Sequence, residues 1–174
     1  MNASAKKTVG WREWASLPDL GVERIKVKID TGARTSALHA FNVRPFTKDG
    51  EDWVRFNVHP LQRKNTLIRA CACRSTDYRW VTNSGGGREK RFVIETNIRI
   101  GEDEWPIEVT LTDRDQMGFR MLVGRTAING RFLVDPSRSY CLKLPAKLKK
   151  SKKRRAKQFV TKKSEKRASP EEEE

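Results

Sequence analysis

Alternation of apolar and polar side chains is the feature that most constrains how this 174-residue chain folds. Residues 24–29, 91–100 and 104–111 each alternate with a period of two, as strands do when one face is buried. In the second segment, Ile94 and Ile98 are predicted on the buried face and Arg91 on the solvent face. The connecting Gly101-Glu102-Asp103 predicts a hairpin.

The remaining patterns predict short strands and very little helix. Weaker strand patterns fall near residues 8–15, 37–43, 52–58, 65–73, 78–82, 120–123, 131–134 and 139–144. Pro106 has no backbone N–H, so it is predicted at a sheet edge or a bulge. One short helix is predicted from Arg125 to Asn129, ended by Gly130. Many short strands separated by turns predict a barrel or a sandwich.

Positive charge is concentrated in the last sixth of the chain. Residues 146–174 carry +7 of the net charge of +15, and they end in four consecutive glutamates. Their low hydrophobicity predicts a disordered basic tail. The tail serves either as a tether for a polyanion such as RNA, for the ribosome or for an acidic protein, or simply as a solubilising segment. Residues 1–8 are interpreted as an N-terminal extension, and residues 9–145 as one folded domain.

The composition also indicates the cellular compartment of the protein. No stretch approaches the roughly 18 consecutive apolar residues of a membrane span. The first seven residues lack the apolar core of a secretory signal. Cys71, Cys73 and Cys141 cannot all pair, which favours reduced thiols. We therefore expect a cytoplasmic protein with no membrane partner.

The residues best suited to catalysis are Asp30-Thr31-Gly32-Ala33, which directly follow the strand predicted at residues 24–29. The strand fixes the backbone position from which the Asp30 carboxylate projects. Gly32 has no Cβ, so another backbone segment can approach it closely. Taken alone, the triplet is more typical of an ordinary turn in which Asp accepts amide hydrogen bonds. A second segment, Phe119 to Arg125, places two apolar residues before Gly-Arg at the start of the predicted helix.

Together these two segments resemble the retropepsin-like aspartic peptidases, whose single-domain members carry both motifs in this order. Further segments are similar to a bacterial family named as ATP-dependent zinc proteases, RimB-like and sometimes encoded near a RimK-type glutamate ligase: Gly10 to Trp14, Lys28 to Ala40, Trp80 to Gly86, Gly118 to Arg125 and Arg131 to Tyr140. The resemblance covers about residues 9–142 and does not extend to the tail.

The resemblance implies a mainly all-β, retropepsin-like closed acid-protease barrel with one short C-terminal helix. It implies that Asp30 is the catalytic carboxylate of an aspartic-type peptidase. The remaining implied site residues are the active-site loop and a supporting motif, namely Thr31, Gly32, Ala33 and Arg34, and Leu122, Val123, Gly124 and Arg125.

Such peptidases place two carboxylates around one water. This chain has one Asp-Thr-Gly and no internal repeat, so the second acid is expected from an identical subunit in a C2 homodimer. The expected substrate is a peptide or protein, with no cofactor. The alternative is a non-catalytic module that regulates a RimK-type ligase or a ribosomal partner.

Two further segments allow two interpretations each. Asn83 to Gly87 is either a mobile flap, with Ser84, Gly85 and Gly86 at its tip, or a surface turn. Arg34 either recognises an acidic substrate or pairs with Asp113 or Asp115.

The family name also raises the question of zinc. The two histidines, His39 and His59, and the one-residue spacing of Cys71 and Cys73 make only weak candidate ligands. Two strand cysteines are more often core residues. The sequence has no H-E-x-x-H motif and no phosphate loop. We therefore expect no metal, and a zinc peptidase is the second alternative.

Overall fold

The computed structural model describes residues 5–83, 85–113 and 118–144. Ser84 of the candidate flap, Asp115 and the basic tail lie outside the described residues. Within these ranges the elements are β1 (Lys7–Gly10), β2 (Arg12–Leu17), β3 (Val22–Asp30), β4 (Ser36–His39), β5 (Phe41–Lys48), β6 (Glu51–Val58), β7 (Arg69–Thr82), β8 (Arg88–Ile100), β9 (Asp103–Thr112), β10 (Met121–Gly124), α1 (Arg125–Ile128) and β11 (Phe132–Asp135).

Six of the strands close into a ring. Strand β2 pairs with β3, and the order continues through β10, β4, β9 and β8, which returns to β2. From β8 the sheet extends outward through β7, β6 and β5, while β1 pairs in parallel with β11. The prediction of a mainly all-β, retropepsin-like fold with one short helix is confirmed. In the part of the chain that is described, no helix has the length and apolarity needed to cross a membrane.

The predicted alternation accounts for the core of the ring. Ile25, Val27, Ile94 and Ile98 are completely buried, and the hairpin turns at Gly101-Glu102 as predicted. Gly101 adopts a φ of +62°, a left-handed conformation that favours glycine.

Pro106 is opposite Asn97 of β8, but the pairing of β9 with β4 begins only at Val109. Pro106 therefore lies where one edge of β9 has no neighbouring strand, so its missing backbone N–H costs no ladder hydrogen bond. The predicted edge position is confirmed.

The predicted strand at 139–144 is wrong: the amides of Cys141 and Leu142 bond to a carboxylate instead of to a neighbouring strand. Glu13 is completely buried, and its Oε1 accepts hydrogen bonds from the amides of Gly10 and Cys141, both at 2.8 Å. Its Oε2 accepts the amide of Leu142 at 3.4 Å. Glu13 thus fastens the segment that follows β11 to the strand pair at the start of the domain.

Other strand predictions need smaller corrections. The strand predicted at 37–43 is divided into β4 and β5, and the strands predicted at 65–73 and 78–82 both belong to β7. The strand predicted at 8–15 is divided into β1 and β2, because the amide of Trp11 bonds to the carbonyl of Arg138 at 2.9 Å. The strand predicted at 65–73 begins only at Arg69.

The buried carboxylate generates a stability prediction. Glu13→Ala should lower the free energy of unfolding by about 3 kcal/mol, because three amides lose a charged acceptor. Urea denaturation followed by circular dichroism measures this change. Glu23→Ala removes an exposed carboxylate from β3 and should change the value by less than about 0.5 kcal/mol. Equal free energies of unfolding for the two variants would show that Glu13 does not hold the segment that follows β11.

Candidate active site

Asp30 stands at the end of β3 with one of its carboxylate oxygens held by the following loop. The Oδ1 atom accepts the amides of Gly32 and Ala33, both at 3.2 Å. The other oxygen, Oδ2, accepts no hydrogen bond from the residues that the structure describes. Asp30 is half-buried and lines a cleft with a volume of about 1120 Å³. The carboxylate is therefore oriented and still able to bind a water.

Strand β10 and the start of α1 hold the Asp30 loop from the other side. Gly124 is opposite Asp30 in the parallel pairing of β10 with β3. The amide of Arg125 donates to the carbonyl of Ala33 at 2.8 Å, and its guanidinium donates to the carbonyl of Thr31 at 3.0 Å. The structure thus brings the active-site loop and the supporting motif together.

Thr126 and Ser36 complete this attachment. The amide and hydroxyl of Thr126 both donate to the carbonyl of Arg34, at 3.1 and 2.9 Å. The buried hydroxyl of Ser36 accepts the amide of Gly124 at 3.0 Å. Sequence reasoning missed Thr126, whose only signal was its place next to the Gly-Arg pair.

The hairpin of β7 and β8 borders the same cleft. Trp80, Val81, Thr82 and Asn83 line it. The Asn83 side-chain oxygen accepts the amides of Gly85 at 2.9 Å and Gly87 at 3.0 Å, which organises the turn. The candidate flap is therefore next to the cleft, with Gly85 and Gly86 in its turn.

Among the described residues, four cations line the cleft, namely Lys28, Arg34, Arg79 and Arg91. Arg91 was predicted on a solvent face, but it is buried because that face of β8 borders the cleft, and it pairs with Glu89. Arg79 pairs with Glu108, and this hydrogen bond raises the pKa of the guanidinium. Over the described ranges, Lys28 and Arg34 form no ion pair, so Arg34 does not pair with Asp113.

The weak zinc candidates do not form a ligand set. Burial raises the pKa of Cys71 and of Cys73 to about 12, which fits thiols packed in or against the core. Phe41 is stacked on His59 with ring centroids 4.5 Å apart. Among residues 5–83, 85–113 and 118–144, no group of three or more His, Cys, Asp or Glu side chains could hold a metal ion.

The attachment of the loop generates a prediction at Gly124. A Cβ at this position would lie 2.6 Å from the Thr35 carbonyl carbon, so Gly124→Ala must displace the Asp30 loop. We expect a loss of about 1–3 kcal/mol in the free energy of unfolding, measured by urea denaturation. Gly118→Ala is the matched control, since a Cβ there meets nothing within 4 Å. If the Gly124→Ala protein were as stable as the control, the close approach of Gly124 to the Thr35 backbone would be contradicted.

Comparison with known proteins agrees with this geometry. The family model of the retropepsin-like aspartic endopeptidase RimB matches residues 8–145. A crystal structure of a protein of unknown function from Legionella pneumophila aligns with a TM-score of 0.65 and 29% identity, over 77% of this chain and 96% of that one.

Relatives at higher identity are longer proteins named probable alpha-L-glutamate ligase. Those from Shewanella pealeana and Shewanella halifaxensis are each 48% identical over 137 residues. The match covers 79% of this chain and 30% of each relative. Because the RimB model spans most of the chain, and the loop, its attachment and the fold agree with it, the chain belongs to the RimB-like family of retropepsin-like aspartic endopeptidases.

Proposed function

We propose that this protein is an aspartic endopeptidase that acts as a C2 homodimer, with Asp30 of each protomer at a shared active site. The observation that carries the proposal is the carboxylate of Asp30, which lines the cleft: its Oδ1 is held by two loop amides, while its Oδ2 accepts no hydrogen bond from the described residues. Membership of the RimB-like family supports peptide hydrolysis as the reaction.

The chemistry requires two carboxylates in different protonation states. The ionised Asp30 removes a proton from a water as the water oxygen bonds to the scissile carbonyl carbon. The protonated Asp30 donates a hydrogen bond to the carbonyl oxygen, and proton transfer to the amide nitrogen then allows the C–N bond to break. Two charges about 3 Å apart would repel by roughly 5 kcal/mol at an effective dielectric of 20, so the pair holds one proton.

A second copy of the chain supplies the second carboxylate that the reaction needs. The chain has a single Asp-Thr-Gly triplet. Thr31 and Gly32 are exposed, and the Thr31 hydroxyl makes no hydrogen bond to a residue that the structure describes. An exposed hydroxyl next to the catalytic acid is suited to bond across a two-fold axis, where each loop meets its own copy.

The cleft favours an acidic peptide. Lys28 and Arg34 line it without a carboxylate partner in the described part of the chain, and an incoming carboxylate would gain a charge-assisted hydrogen bond there. Relatives that contain a homologous region carry the name probable alpha-L-glutamate ligase, which points to glutamate. We therefore assign peptides with consecutive glutamates as the substrate class.

A regulatory module for a glutamate ligase is the second candidate. It is favoured by one observation, that the homologous region makes up 30% of proteins named as such ligases. A regulator would change the rate of a ligase whether or not Asp30 is intact. A peptidase would remove glutamates only with Asp30 present, so ligase assays with the wild-type protein and with Asp30→Asn separate the two.

Asp30→Asn tests the peptidase directly. We expect kcat/KM for a fluorogenic peptide containing four glutamates to fall by at least about a thousandfold, since an amide cannot act as the general base. Sedimentation should show the same dimer. Asp49→Asn, at an exposed turn between β5 and β6, is the matched control and should leave kcat/KM unchanged. Undiminished cleavage by Asp30→Asn would refute the mechanism, and loss of cleavage on adding a metal chelator would point to the zinc peptidase.

Arg34→Ala tests the substrate class. The KM for the glutamate peptide should rise by about tenfold, the loss expected for one charge-assisted hydrogen bond. The KM for a matched glutamine peptide should stay unchanged, which provides the control. An equal change for both peptides would show that Arg34 does not recognise acidic side chains.

A further inference from the structure

The outer face of strands β5, β6 and β7 lies away from the cleft and has no role in the proposed peptidase. Val54, Phe56 and Val58 of β6 are buried, so the alternate residues Trp53, Arg55 and Asn57 are on the opposite face. Register places Phe46 and Arg74 on either side of Trp53, and Arg44 and Ala72 on either side of Arg55. None of these residues lines the cleft.

Arg44 and Arg55 make this face unusual. They are directly opposite each other on neighbouring strands, and both are exposed. Like charges directly opposite each other on neighbouring strands destabilise a sheet. Neither guanidinium has a carboxylate partner in residues 5–83, 85–113 or 118–144. A bound anion between them would remove the repulsion and accept hydrogen bonds from both.

Further cations and two aromatic rings are on the same face. Arg74 is exposed and pairs with Glu51 at 3.2 Å. The ammonium of Lys48 lies 4.3 Å from the centre of the Trp53 ring, and Phe46 packs against that ring at 6.1 Å. Four cations and two aromatic rings thus share the face with one described acid, Glu51.

Small side chains leave room beside the two arginines. Ala72 is the β7 neighbour of Arg55, and Ala70 is the neighbour of Asn57. Ala70 is exposed, so this end of the face is open to solvent. A flat ligand can therefore approach the rings and the guanidiniums together.

We propose that this outer face, defined by Arg44, Phe46, Lys48, Trp53, Arg55 and Arg74, binds single-stranded RNA. The arginine pair binds a backbone phosphate, and Arg74, two residues along the sheet and roughly 7 Å away, lies near the next one. Phe46 and Trp53 stack with the bases, and Lys48 moves from the ring to a phosphate as a base arrives.

The mixture of rings and cations selects this class of ligand. An acidic peptide would use the cations, but its carboxylates gain nothing from two partly accessible rings. Duplex nucleic acid keeps its bases stacked inside and offers these rings no base to contact. A single strand presents both phosphates and free base faces.

Fluorescence anisotropy of a labelled twelve-nucleotide oligouridine tests the proposal with the full chain at about 0.15 M salt. Arg44→Ala with Arg55→Ala should weaken binding by at least about tenfold and reduce the slope of log affinity against log salt by about 2. Trp53→Leu keeps the charge and should weaken binding by about tenfold with the salt slope unchanged.

Arg24→Ala with Arg138→Ala is the matched control, since both arginines are exposed and lie elsewhere on the surface. Residues 146–174, with their +7 charge, stay in every variant and contribute equally. The proposal is overturned if the two double variants bind RNA with the same affinity. It is also overturned if a labelled tetraglutamate peptide binds the wild-type face as tightly as RNA and is equally sensitive to Arg44 and Arg55, which would identify an acidic peptide as the ligand.

Discussion

The account rests on the attachment of the Asp30 loop to the start of α1. A loop at the end of a single strand has few contacts of its own, and its backbone would sample several conformations. Here Arg125 and Thr126 donate to three carbonyls of the loop, those of Thr31, Ala33 and Arg34. These bonds form only because Gly124 has no side chain where it meets Thr35. The direction of the Asp30 carboxylate follows from that contact.

The ring of strands makes this attachment possible. Residues 30 and 124 are far apart in sequence, and parallel pairing of β3 with β10 places their strand ends side by side. Within β2 of the ring, Glu13 accepts hydrogen bonds from the amides of residues 141 and 142 and so holds the part of the chain that follows β11. The cleft is then bordered by the hairpin of β7 and β8, which brings Arg79 and Arg91 to the same space as Asp30. The same sheet therefore orients the Asp30 carboxylate and places cations along the wall of the cleft.

The strands and the loop that carries Asp30 could be predicted from sequence because their signals are local. Alternation identified β3, β8 and β9, and the two motifs identified the loop and its support. Long-range contacts could not be predicted in the same way. Residues 139–144 alternate like a strand, yet their amides bond to Glu13, more than 120 residues away. Arg91 alternates like a solvent-facing residue, yet its face borders the cleft. Thr126 has no distinctive pattern at all, and only the packed structure shows its bonds to Arg34.

One chain supplies one oriented carboxylate, that of Asp30, and the proposed chemistry needs a pair. The separation of the two Asp30 carboxylates in a crystal structure of the assembled protein tests this requirement most directly. The account predicts a symmetric dimer in which the nearest oxygens of the two acids are within hydrogen-bonding distance, about 3 Å. A protein that is monomeric at working concentrations, or a dimer whose two acids face separate clefts, would contradict it.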